Sequence, residues 1–125
     1  MTRHVLVVDD EDSITLSLRH LMKREGYRVT VARDGDEALA AVAAGPPDLL
    51  LLDVMIPKRD GYDVCQTIKA NPAWAGVKIV MVSARGRDIE VEKGLALGAD
   101  AYVTKPFSTR ELAQMVRDLI GAPDA

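Results

Sequence analysis

The sequence predicts an α/β fold with a parallel sheet. Five short β-type runs alternate with five helical segments along 125 residues, the order expected of repeated strand–helix units. Two of those runs, Val5 to Val8 and Leu49 to Leu52, are apolar at every position. Alternating positions of a strand face opposite sides, so such runs must be covered on both faces, as in parallel sheets flanked by helices.

Each element has its own signal. Val5 to Val8 form the first strand. Asp12 then reads as the N-cap of a helix that carries Ile14, Leu18, Leu21 and Met22 on one face and ends near Gly26. Tyr27 to Ala32, rich in β-branched residues, form the second strand, and Asp34-Gly35 turns into an alanine-rich helix over Glu37 to Ala44. Gly45-Pro46-Pro47 stops that helix ahead of the third strand, Leu49 to Leu52. A loop from Pro57 to Gly61 leads into a helix from Tyr62 to Ala70, closed by Asn71-Pro72. Trp74 sits in the loop that follows and is placed to cover the lower end of the sheet. Val77 to Val82 make the fourth strand, Asp88 to Leu97 a helix closed by Gly98, and Ala101 to Thr104 a short fifth strand. Ser108 and Glu111 have capping-box spacing at the head of a last helix that runs to about Ile120.

Bulk properties narrow the function classes. The length fits one domain, and 48% hydrophobic with 28% charged residues is ordinary for a globular protein. A net charge of −3 lacks the basic footprint of nucleic-acid binding. A single cysteine, Cys65, cannot form an internal disulfide, which points to a reducing, cytoplasmic setting. No apolar stretch is long enough for a membrane span or arranged as a signal peptide.

The chemistry-bearing residues gather at one end of the predicted sheet. Asp9 and Asp10 end the first strand, Asp53 the third, Ser83 the fourth and Lys105 the fifth. Ligands of such sheets bind beyond the carboxyl ends of the strands. Taken singly, Asp9 and Asp10 read as loop residues, Ser83 as a turn residue and Lys105 as a solvated charge. Asp53 resists that reading, because a strand buried on both faces offers a carboxylate little solvation. Crowded carboxylates need a cation among them, and an all-oxygen set suits Mg²⁺. No glycine-rich phosphate loop follows the first strand, where the sequence reads DDED. Mg²⁺, a carboxylate and a lysine together point to phosphoryl chemistry, with Asp53 as the nucleophile, Lys105 offsetting charge and the Ser83 hydroxyl donating a hydrogen bond.

The segments VLVVDDEDS, LLLLDVMIPKRDGYDVC, IVMVSAR and GADAYVTKPFS together resemble the receiver domain of two-component response regulators. The resemblance covers Arg3 to about Ile120, giving one receiver domain over 1–121 and a short loose tail over 122–125. It implies a flavodoxin-like (βα)5 fold with strand order 2-1-3-4-5, and a phosphoryl group passed from a histidine kinase or phosphotransfer protein to Asp53. It implies Asp10 and Asp53 as direct Mg²⁺ ligands, Asp9 acting through water, and the Met55 backbone carbonyl as a further ligand. It also implies a cis peptide before Pro106, a switch pair of Ser83 and Tyr102, and an output surface of the fourth helix, fifth strand and fifth helix for a downstream partner. Met55 and Arg85, two residues after Asp53 and Ser83, match positions that tune phosphoryl lifetime. Lys93, Asp100 and Glu111 fit a family dimer pattern that Ala101 and Met115 break, so a monomer or weak dimer is expected. An alternative reading is a Mg²⁺-dependent aspartyl-phosphate phosphatase or phosphotransferase. Such enzymes carry a second Asp two residues after the nucleophile, where this sequence has Met55.

Overall fold

The computed structural model describes residues 2–124. In chain order the elements are β1 (His4–Val8), α1 (Asp12–Arg24), β2 (Arg28–Ala32), α2 (Gly35–Ala44), β3 (Leu49–Leu52), α3 (Gly61–Ala70), a 3₁₀ turn (Pro72–Trp74), β4 (Lys78–Ser83), α4 (Asp88–Ala96), β5 (Ala101–Thr104) and α5 (Thr109–Ile120). The strands form one parallel sheet of order β2-β1-β3-β4-β5. That is the flavodoxin-like arrangement expected from the resemblance.

The sheet separates two apolar cores, as strand alternation requires. Leu6, Val8, Leu50, Leu52, Ile79 and Met81 point to one side, where α2 and α3 supply Ala38, Val42, Val64, Cys65 and Ile68. Val5, Val7, Leu49, Leu51, Val80 and Val82 point to the other, against Leu18, Leu21, Met22, Leu112, Ala113 and Val116 from α1 and α5. Met115 packs at the margin of this second core, so it belongs to the packing of α5. Trp74 is half-buried in the 3₁₀ turn and packs against the first core.

The register positions the site. Val8 pairs with Leu52 across β1 and β3, so the next residues, Asp9 and Asp53, emerge side by side. The Asp53 amide donates to the Val8 carbonyl at 2.9 Å, and the Lys105 amide to the Ser83 carbonyl at 2.8 Å. Both hydrogen bonds extend the ladder one step past the strands and fix the directions of the residues that carry the polar side chains.

Element ends differ from the sequence reading by one or two residues, and two differences have a clear physical reason. Asp12 is not the N-cap of α1. The capping position falls to Glu11, whose side chain makes no cap hydrogen bond, while Asp12 enters the first turn and pairs with Arg33 at the end of β2. Segment 122–124 is not loose either; the final residue, Ala125, lies outside the described residues. The Arg3 amide donates to the Pro123 carbonyl at 2.8 Å, the Arg3 guanidinium to the Ala122 carbonyl at 3.1 Å, and Thr2 bridges Asp124. Tyr27, expected to open β2, instead precedes it and donates its hydroxyl to the Gly121 carbonyl at 2.7 Å. The Ser108–Glu111 capping box is half formed: the Ser108 hydroxyl accepts from the Glu111 amide at 3.2 Å.

Candidate phosphoryl and metal site

Asp9, Asp53, Ser83 and Lys105 come together at the carboxyl ends of β1, β3, β4 and β5. Asp9 is 1% exposed and Asp53 7%, while Asp10 is open to solvent. The Lys105 ammonium reaches across from β5, 2.9 Å from an Asp9 carboxylate oxygen and 3.3 Å from Asp53 Oδ2. The other Asp53 oxygen accepts from the Met55 amide at 3.2 Å, and the other Asp9 oxygen from the Glu11 amide at 2.9 Å. Both buried carboxylates are thus held at two points, and neither rotates freely.

The electrostatics of this corner are unbalanced. Three carboxylates offer oxygens that lie within 4.8 Å of one another, against one ammonium. Burial raises the pKa of Asp53, and the Asp9 charge adds to that, while the Met55 amide and Lys105 oppose it. Burial works against the Lys105 charge, but the hydrogen bond to Asp9 and the charges of Asp53 and Asp9 outweigh it and raise its pKa. A carboxyl raised by burial first and by a neighbouring carboxylate second would be relieved by added positive charge. Oxygen donors of this kind, with Asp10 facing water, fit a hard divalent cation that keeps part of its hydration.

The loop after β3 is built to hold Asp53. Gly61 begins α3 directly over the Asp53 backbone, and its amide donates to the Val54 carbonyl at 2.8 Å. A Cβ on Gly61 would lie 2.4 Å from the Asp53 carbonyl oxygen and 2.7 Å from the Val54 Cα, distances no side chain tolerates. Gly61→Ala is therefore expected to destabilise the domain by about 2–4 kcal/mol, because backbone rather than a flexible side chain must give way. Gly45→Ala, with nothing near its would-be Cβ, should stay within about 0.5 kcal/mol. Chemical denaturation of the two variants checks this difference, and equal costs would refute it.

Ser83 is fully buried and its hydroxyl accepts from the Arg85 amide at 3.2 Å. Tyr102, on the edge strand β5, is half-buried and donates its hydroxyl to the Arg85 carbonyl. The Lys105–Pro106 peptide is cis. Met55 is 54% exposed and, with Asp10, Tyr62 and Arg85, lines a cleft of about 440 Å³ beside the carboxylates. Lys58 and Arg59 lie at the surface, Lys58 near Asp34 at 3.7 Å and Arg59 paired with Asp36 and Asp63, which accounts for them as a structural turn.

The two histidines and the cysteine lie away from this site. His4, at the opposite end of β1, bonds Asp48 through its amide at 2.7 Å and Thr30 through its ring at 2.8 Å. His20 is exposed on α1. Cys65 is buried, and burial pushes its thiol up to about 11, which leaves little reactive thiolate at neutral pH.

Comparison with known proteins decides among phosphate-handling α/β folds. The response regulator receiver domain family matches residues 5–117. The chain belongs to this family. It is 42% identical over 120 residues to the alkaline phosphatase synthesis transcriptional regulatory protein PhoP of Bacillus subtilis, a match that covers 96% of this chain and 49% of that protein. The receiver chain thus spans about half the length of this curated relative. Among solved structures, a response regulator from Chloroflexus aurantiacus is 32% identical with a TM-score of 0.91, over 96% of this chain and 98% of that one. A CheY-like receiver domain protein from Methanospirillum hungatei is 28% identical with a TM-score of 0.90, over 96% and 94%. Receiver domains are signalling modules of two-component systems whose hallmark is phosphorylation on an aspartate, and they bind Mg²⁺ at an acidic pocket. They interact with histidine kinases and with effectors. No described helix of this receiver is long and apolar enough to cross a membrane.

Proposed function

We propose that this receiver accepts a phosphoryl group on Asp53 from a histidine kinase or phosphotransfer protein and signals through the surface of α4, β5 and α5. The observation that carries this reading is the convergence of Asp9, Asp53 and Lys105 within hydrogen-bonding reach, with Asp10 beside them. A carboxylate oxygen of Asp53 attacks phosphorus, the bond to the donor nitrogen breaks, and the imidazole keeps that electron pair. Mg²⁺, held by Asp9, Asp10, Asp53 and the Met55 carbonyl, would supply the positive charge that lets two anions approach. Lys105 offsets charge on the phosphoryl oxygens, and the Ser83 hydroxyl, already at the end of β4, turns to donate to one of them. Tyr102 follows Ser83 as its switch partner, and Pro106 sets the course of the chain beyond Lys105.

Asp100 accepts from the Lys69 ammonium at 3.1 Å and from the Ile79 amide at 2.8 Å, and Lys93 lies 4.4 Å from the centre of the Tyr62 ring. Both charges are engaged within the chain, which supports a monomer or weak dimer. A cytoplasmic location, contact with proteins rather than nucleic acid or membrane by this segment, and no catalysis beyond self-directed phosphotransfer complete the reading.

Intact mass after incubation with acetyl phosphate tests it. A gain of one phosphoryl group (about 80 Da) is expected with Mg²⁺ and not with EDTA. A gain unaffected by EDTA would remove the metal from the mechanism, and no gain in either case would leave acetyl phosphate excluded as a donor and the acceptor reading without support. The lifetime of the product follows from Met55: a thioether cannot orient an attacking water as an amide or carboxylate does. Self-dephosphorylation with a half-life of minutes or longer is expected once donor is removed, and a half-life of seconds would contradict this.

A further inference from the structure

The sheet ends on β2, and that edge is open. The Arg28 amide donates back to the Arg3 carbonyl at 2.9 Å, and the Ala32 carbonyl accepts from the Asp9 amide at 3.1 Å. In a parallel strand the amide and carbonyl of one residue point the same way, and successive residues alternate. Val29 and Val31 therefore turn theirs outward, where no strand pairs with β2 among the described residues. Their side chains pack on the α1 side of the sheet. There α1 and β2 enclose a cleft of about 340 Å³ lined by Asp12, Thr15, Leu16, Arg19, Val31 and Arg33. None of Asp9, Asp53, Ser83 or Lys105 lines it, so it is separate from the acceptor cleft.

Two properties of this cleft point to an occupant. Leu16 is 68% exposed; of the other large apolar residues exposed among the described ones, Met55 lines the acceptor cleft and Ile89 and Leu95 belong to α4. A lone exposed leucine is ordinary, but one that lines a cleft beside a free strand edge offers an anchor. The rim is also cationic, on a chain whose net charge is −3. Asp12 is occupied by Arg33, while Arg19, and Lys23 one turn further along α1, have no ionic partner among the described residues.

We propose that the β2 edge and this cleft dock an extended acidic segment of a partner protein, which joins the sheet as an added strand. Its backbone pairs with the outward groups of Val29 and Val31, an apolar side chain covers Leu16, and its carboxylates meet the arginines. Charge selects this occupant over a second copy of the chain. Arg28 and Arg33 stand at the two ends of β2, so antiparallel pairing of two such edges brings like charges face to face. The β2 edge lies across the whole sheet from β5, so docking there leaves phosphoryl acceptance and the α4–β5–α5 surface free.

Fluorescence anisotropy with three labelled ten-residue peptides tests this. The first alternates glutamate with valine around a central leucine, the second has lysine for glutamate, and the third is the first with proline at alternate positions. Only the first is expected to bind. Leu16→Ala should weaken it roughly tenfold, the worth of one buried leucine, and Arg19→Glu roughly fivefold at low salt and less at high salt. Both residues are exposed, so both variants should take up phosphate from acetyl phosphate as the wild type does. Amide exchange at Val29 and Val31 should slow roughly tenfold or more in the complex. Failure of the acidic peptide to bind, or equal binding of the lysine or proline peptide, would overturn the proposal. So would unchanged affinity in the two variants, or unprotected amides at Val29 and Val31. Self-association lost on Leu16→Ala would assign the edge to a second copy and likewise overturn it.

Discussion

Asp53→Asn is expected to abolish the phosphoryl gain completely while raising the thermal stability of the metal-free protein. The first effect follows from chemistry, since an amide oxygen cannot form the acyl phosphate. The second follows from the environment of the carboxylate. Asp53 is buried beside Asp9, and both facts raise its pKa in the folded chain. The sign follows directly: a carboxyl whose folded pKa lies above its unfolded value binds protons more tightly when folded. The folded state then loses stability as pH rises from the unfolded carboxylate range, about 4, through the raised folded value. Asparagine keeps the size and an acceptor for the Met55 amide but does not titrate. The gain should therefore vanish below about pH 4 and grow in EDTA as pH rises through the raised folded value. Each kcal/mol gained is worth about 4 °C in Tm for a domain of this size. Added Mg²⁺ should stabilise the wild type more than the variant and narrow the gap. A phosphoryl gain on Asp53→Asn would move the acceptor to another residue, and a variant less stable than wild type in EDTA at neutral pH would show that the Lys105 contact outweighs burial.

What the sequence disclosed and what it withheld divide along a physical line. Strands β1 and β3 were legible because a run apolar on both alternating faces, such as Leu49 to Leu52, has few other places to go. Once the strands were placed, Asp9, Asp53, Ser83 and Lys105 fell at one end by counting alone. Features set by competition among neighbours were not legible. Four polar residues, Asp9 to Asp12, lie at the junction of β1 and α1, and which one caps the helix depends on where β1 stops and on the pull of Arg33 on Asp12. The short C-terminal segment looked loose because its partners, Arg3 and Tyr27, are nearly a chain length away. The sequence marked Arg85 by its place two residues after Ser83, but the backbone hydrogen bonds it makes to Ser83 and Tyr102 leave no mark in residue type. Gly94 did leave one, an interior helical glycine. A Cβ there would sit 3.0 Å from the Tyr102 ring and 2.8 Å from Met81 Sδ, so glycine lets α4 lie close on β5.

The opposite substitution on the same contact should have the opposite sign. Lys105→Met keeps the apolar stem and removes the ammonium that bridges Asp9 and Asp53 at 2.9 and 3.3 Å. Two buried carboxylates then face each other with no protein cation between them. Removing one partner of a fully buried pair costs about 3–5 kcal/mol; Lys105 keeps some exposure, so a loss of about 2–3 kcal/mol is expected in EDTA at pH 7. The pH dependence follows from the pKa directions. The folded pKa of Lys105 is raised, so its stabilising contribution is complete below the unfolded lysine value of about 10.4 and is lost only as pH rises through the folded value. The penalty of the variant, by contrast, needs the Asp53 carboxylate ionised, and it should grow as pH rises through the raised folded value of that group. The difference between wild type and variant thus opens as Asp53 ionises and closes only in strong alkali. Mg²⁺ should restore part of the loss, and Asp53→Asn added to Lys105→Met should restore more, because it removes one of the two opposed charges. Denaturant titrations from pH 4 to 9 of the single and double variants measure this. A penalty independent of pH would assign the loss to packing of the lysine stem, and a double variant no more stable than Lys105→Met would show that Asp53 and Asp9 do not repel across this site.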